Sequence, residues 1–100
     1  MNEIDKFKVY DSVLRLGSMN HQDKKLIEEL SELITELVRV QTGRNKPNAK
    51  EVVGELADCI IMIEQYLRNH NLFSLVELAK DCKLKRLKYR ISSGGVLEKQ

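Results

Sequence analysis

The sequence predicts an all-α fold, a four-helix bundle-type protomer with antiparallel neighbours, in a single domain over residues 1–100. Three observations predict it. Apolar residues recur at steps of three and four, with no strand-like alternation. The chain holds one proline and five glycines, so breaks are few. The breaks fall between apolar runs and leave short connections, which make successive helices antiparallel neighbours. With 42 % apolar and 32 % charged residues the composition is that of a folded domain, not a disordered one. A chain this short buries only about 60–70 % of its unfolded surface, so its own core is modest.

The first helix is expected near residues 4–16, where Phe7, Tyr10, Val13 and Leu14 share helical spacing and Gly17 supplies a stop. The second is expected over about 20–42. There Leu26, Leu30, Leu33, Leu37 and Val40 step by four and three, the seam of a helix packed on another, and Gly43 ends it. In the loop GRNKPN, Asn48 is placed to cap a third helix, with Glu51 three residues on as the partner in a capping box. That helix runs to about Asn69 and NHN forms the turn. Ser74 and Glu77 mark the start of a fourth, reaching about Ile91, with Leu84, Leu87 and Ile91 toward the core; residues 92–100 read as a loose tail.

The third helix is apolar almost all round. Val52, Leu56, Cys59, Ile60, Ile63, Tyr66 and Leu67 fill one broad arc, and Ala57 and Ile61 on the other side need covering, which suggests a second copy of the chain. No apolar run approaches the roughly 20 residues that cross a bilayer, and MNEIDKFKVY lacks an apolar signal core. A cytoplasmic protein without a membrane partner is expected. Cys59 and Cys82 have no CxxC or ligand spacing and read as reduced thiols. The net charge of +2 names no partner.

Carboxylates interrupt this apolar pattern. Glu51, Glu55 and Asp58 form a narrow stripe at the edge of the third helix, and Glu55 and Asp58, three apart, can reach one point in space. Glu29, Glu32 and Glu36 flank the seam of the second helix. If that seam packs on the third helix, the two stripes face one cleft, where like charges demand a cation. Hard divalent ions, Mg²⁺ above all, take oxygen ligands of this kind, and no histidine or cysteine at ligand spacing argues for zinc. Glu28 and Glu36 read as solvated acids. Two other readings stay open: a non-catalytic helical interaction module, and, below it, nucleic-acid contact through KLKRLKYR, residues 83–90, where a solvated basic face is the commoner explanation for Lys85 and Lys88.

EELSE, residues 28–32, followed by ELAD, residues 55–58, resembles the EExxE…ExxD pattern of the MazG-like, all-α nucleoside triphosphate pyrophosphohydrolases. Gln22 and Lys25 stand ahead of it as in that family, and Lys83 and Arg90 resemble its basic ending; the likeness spans about residues 7–91. It implies Mg²⁺, with Mn²⁺ as a substitute, held by Glu29, Glu32, Glu55 and Asp58. It implies Lys83, Arg90 and Lys25 on the triphosphate, and Glu32 or Glu29 taking the proton. The implied reaction converts a ribo- or deoxynucleoside triphosphate to the monophosphate and pyrophosphate, in a homodimer or dimer of dimers without nucleic acid. A phosphoribosyl-ATP pyrophosphatase ranks below this reading, since its additional N-terminal sequence is not seen. The chain departs from the pattern at Leu87, where the family often has Asn, and it has no tryptophan to stack a base; Tyr66, Phe73 and Tyr10 are the aromatic candidates, each more often a core residue.

Overall fold

The computed structural model describes residues 1–94 and is helical throughout, with no strand among them. Four helices follow in order: α1, Glu3–Leu16; α2, Met19–Gln41; α3, Lys50–Asn69; and α4, Phe73–Ser92. Each bound lies within a residue or two of the expected one. Residues 95–100, most of the expected tail, lie outside the described part. The chain separates into two units, Met1–His70 and Asn71–Gln100.

In the first unit α1 and α2 begin with side-chain caps. Asn2 Oδ1 accepts from the Asp5 amide at 2.8 Å, and Ser18 Oγ accepts from the His21 amide at 3.1 Å, each satisfying an amide that the helix leaves unpaired. Gly43 closes α2 at φ 75°, a left-handed conformation that a Cβ disfavours. The expected cap of α3 is corrected: Ala49 occupies the position and has no side chain to cap the helix. Glu51 instead receives a long hydrogen bond, 3.5 Å, from Asn45 of the preceding loop.

Four long-range contacts set the topology. The Cys59 thiol donates to the Glu29 carbonyl at 3.2 Å and His70 Nε2 meets Asp23 at 2.9 Å, so α3 returns antiparallel along α2. Lys6 Nζ bonds Glu64 at 2.7 Å and Arg68 bonds both oxygens of Asp11, so α1 runs parallel to α3. Tyr10, Val52, Cys59 and Met62 form the buried apolar core, joined by the buried side chains of Gln22 and Gln65. The expected seams are rotated. On α2, Leu26, Leu33 and Val40 turn inward with Gln22, Glu29 and Glu36, whereas Leu30 and Leu37 are exposed. On α3, Val52 and Cys59 are buried as expected, but Leu56, Ile60 and Ile63 are not. Ala57 and Ile61 are exposed, as read from the sequence.

In the second unit, Asn71 at φ 55° makes the turn expected from NHN, a conformation asparagine tolerates better than most residues. Leu72 stands at the start of α4 and no side chain caps it, which corrects the Ser74–Glu77 signal. No residue of α4 is buried; Leu84 and Ile91, expected inward, are exposed, and Leu87 is half-buried. No helix among the described residues is long and apolar enough to cross a membrane.

Candidate metal centre

The antiparallel register of α2 and α3 brings the two acid stripes together. One carboxylate oxygen from each of Glu29, Glu32 and Glu55 lies within 4.8 Å of the others. Glu29 and Glu55 project from facing helices where the inner seams meet, so their carboxylates are drawn partly out of water; the Glu29 side chain is 12 % exposed. Glu32 is exposed at the rim.

Electrostatically the group is under-compensated. Glu29 Oε2 and Glu55 Oε2 are buried with no hydrogen-bond partner. Burial pushes the Glu29 carboxyl above its ordinary range, and the charges of Glu32, Asp58 and Glu55 push it further. Burial likewise raises Glu55, followed by the charges of Glu32 and Asp58. A buried carboxylate oxygen without a donor is costly, and several together require protons or a cation. No lysine or arginine pairs with Glu32, Glu55 or Asp58 among the described residues.

Asp58, expected as a fourth ligand, is exposed one turn beyond Glu55. Its charge is felt at Glu29, Glu55 and Cys59, yet its carboxylate is not part of the three-membered group. Lys25, expected at the triphosphate, lies 3.5 Å from Glu28 and 3.8 Å from Glu29 on its own helix, and so partly neutralises the acids. Glu28 is solvated as expected. Glu36 is not: it is 8 % exposed, held by Arg39 at 2.8 Å through one oxygen, and its other oxygen is buried without a partner. Lys83 and Arg90 belong to α4 in the second unit, Lys83 exposed and Arg90 half-buried. Of the aromatic candidates, Tyr10 is core and Tyr66 packs on His70 with ring centroids 4.4 Å apart.

Sequence reading had not connected the Cys59 thiol to the Glu29 carbonyl, the pair that fixes the register between the two acid motifs. A cysteine directly after the ExxD motif on an apolar arc was the available signal. The donor set fits a hard divalent ion: oxygens only, two of them buried and unpartnered, with a water-accessible rim for further ligands. No family model matches the chain, and neither a curated protein nor a solved structure does so.

Proposed function

We propose that the acid group between α2 and α3 binds Mg²⁺, or Mn²⁺ in its place, and that the protein is a nucleoside triphosphate pyrophosphohydrolase. The observation that carries the ion is the pair of buried, unpartnered oxygens on Glu29 and Glu55 within reach of Glu32. The resemblance of EELSE…ELAD to the MazG-like motifs supplies the reaction class.

Glu29, Glu32 and Glu55 would hold the ion, with the exposed Asp58 one turn from Glu55 as the fourth carboxylate of the motif. Bound there, the ion would neutralise phosphate charge and lower the pKa of water. Glu32, the exposed member of the three, takes the proton as water adds to phosphorus and the phosphoanhydride bond breaks. Lys25, beside Glu28 and Glu29, would offer its ammonium group to a phosphate. The same resemblance implies triphosphate contacts for Lys83 and Arg90 of α4. The active form is a homo-oligomer in the cytoplasm, acting on free nucleotides.

One observation favours a second reading, a non-catalytic dimerisation module: the broad exposed apolar surface of α2 and α3. That reading expects Glu55 to be solvated or lysine-paired, and it is neither.

The test is pyrophosphate release from a panel of ribo- and deoxynucleoside triphosphates with Mg²⁺ and with EDTA. Metal-dependent release from at least one is expected. Absence of release across the panel, by folded protein that also shows no Mg²⁺ response in thermal melting, overturns the proposal.

A further inference from the structure

The acidic face of α2 ends in an arginine. At about 100° per residue, Lys25, Glu29, Glu32, Glu36 and Arg39 fall within about 80° of the helix circumference. Lys25 and Arg39 each lie two turns, about 10 Å, from Glu32, in opposite directions along the axis. The Arg39 side chain is turned back toward the carboxylates: its Nη1 donates to Glu36 Oε1 at 2.8 Å, one turn nearer Glu32. Its charge also reaches α3. Glu51, one turn ahead of Glu55, is held below its ordinary range by hydrogen bonds from its own amide and Asn45, then by the charges of Lys50 and Arg39.

The pair of Glu36 and Arg39 is only half made. Glu36 is nine-tenths buried and its Oε2 has no partner. The Arg39 side chain is 52 % exposed, and among the described residues Nη1 is the one guanidinium nitrogen that is bonded. Arg68, by contrast, gives two nitrogens to both oxygens of Asp11. A buried carboxylate with one oxygen orphaned adds little to stability, and an apolar residue in its place often serves as well. What the arrangement does achieve is to fix a guanidinium by a group that cannot swing away, while most of its planar fork of donors stays open to water. That fork matches phosphate oxygens.

We infer that Arg39 is a phosphate-binding residue beside the acid group, held in place by Glu36 as a positioning residue, and that it takes the far end of a polyphosphate chain laid along α2. The inference rests on the reading of the acid group as a site for an ion and a triphosphate. Two turns separate Arg39 from Glu32, so a single phosphate held at the carboxylates stops short of the guanidinium and a chain of three does not. Arg39 thereby selects for phosphate chain length. Lys25 does not duplicate it, because its ammonium already lies 3.5 Å from Glu28 and 3.8 Å from Glu29. Unlike Lys83 and Arg90, Arg39 belongs to the same unit as the acid group.

The test is titration calorimetry of the full chain in Mg²⁺ with inorganic tripolyphosphate and, as the short probe, inorganic phosphate. Wild type is expected to bind tripolyphosphate the more tightly. Arg39→Gln is expected to weaken tripolyphosphate binding about tenfold or more, the loss of one charged hydrogen-bond partner, and to leave phosphate binding unchanged. The double variant Glu36→Gln/Arg39→Gln, which leaves no buried carboxylate unpaired, is expected to weaken it equally. Glu36→Ala is expected to lose part of the affinity, and Glu36→Gln, whose amide oxygen still accepts from Nη1, to recover it. Arg44→Gln removes the same charge from the adjoining loop and is expected to change nothing. Every variant is expected to keep the Mg²⁺-induced shift in melting temperature. Tripolyphosphate binding that survives Arg39→Gln, or that falls as far with Arg44→Gln, overturns the inference and leaves the triphosphate reading standing. Equal losses for the two probes overturn selection by chain length, and wild-type binding by Glu36→Ala overturns the positioning role. A wild-type protein that responds to Mg²⁺ and binds no tripolyphosphate overturns the triphosphate reading, and this inference with it.

Discussion

Glu29 and Glu55 each hold a carboxylate in a setting that resists its charge, and the two ought to behave differently from an ordinary surface glutamate on substitution. Glu55→Gln removes one of the mutually repelling charges, so the metal-free protein should melt a few degrees higher than wild type, while the Mg²⁺-induced increase and turnover disappear; paired melting curves with Mg²⁺ and EDTA check both. Asp58→Asn, at an exposed position, should leave helicity unchanged and abolish turnover, measured by dichroism and pyrophosphate release. The convergence of Glu29, Glu32 and Glu55 was legible in the sequence because i, i+3 spacing fixes which acids share a helix face. The burial of Glu36 was not. A wheel drawn on the leucines centres the seam on Leu30 and Leu37, which leaves Glu36 at the edge; the inner seam lies through Leu26, Leu33 and Val40, where Glu36 turns inward against Arg39. Apolar periodicity cannot rank two seams on one helix when both are apolar.

At the scale of the element, α3 is the helix on which the acid group depends, and it begins without a cap. Ala49 has φ −60° and ψ 149°, the extended backbone that an N-cap residue requires, but no side-chain oxygen to accept from the free amides. Ala49→Asp should stabilise the protein by about 1 kcal/mol, read as a higher denaturation midpoint. The same helix buries Val52, the largest side chain that is almost wholly enclosed. Val52→Ala loses two methyl groups and leaves a cavity, a cost of about 2 kcal/mol in the same denaturation experiment. Helix existence and length were readable throughout because Gly17, Gly43 and the NHN turn interrupt long apolar repeats. Caps were harder to read: Asn48 and Ser74 carry the right chemistry one and two residues away from where the backbone turns, at Ala49 and Leu72. A cap depends on the dihedral angles of one residue, which the pattern of a whole helix does not constrain.

For the molecule as a whole, the acid group ties stability to pH. Glu29 and Glu55 ionise above their ordinary value of 4.5 in the folded state, which therefore keeps protons that the unfolded chain has released. Metal-free protein should lose stability as pH rises from about 4.5 through the raised range, reaching its full deficit above it. Asp11, lowered by its bond to Arg68, and Glu51, lowered by hydrogen bonds from its own amide and Asn45, act in the opposite sense: their contribution vanishes as pH falls below ordinary values of 3.8 and 4.5. A melting series in EDTA should thus peak in mildly acid buffer, and Mg²⁺ should move the peak toward neutrality by displacing the protons. The all-α architecture was plain from composition and periodicity. What covers the apolar side of α2 and α3 was legible only as a need, because a sequence shows which residues avoid water and not which chain shelters them.

The hydrogen bond from Cys59 to the Glu29 carbonyl also divides the two thiols into unequal reagents. Cys59 is buried and its pKa is pushed up, first by burial and then by the neighbouring carboxylates, whereas Cys82 is exposed on α4. A maleimide at neutral pH should modify the native chain once, at Cys82, and the denatured chain twice. The natural sequence therefore carries a ready attachment point for a fluorophore or spin label on α4, with no engineered cysteine required.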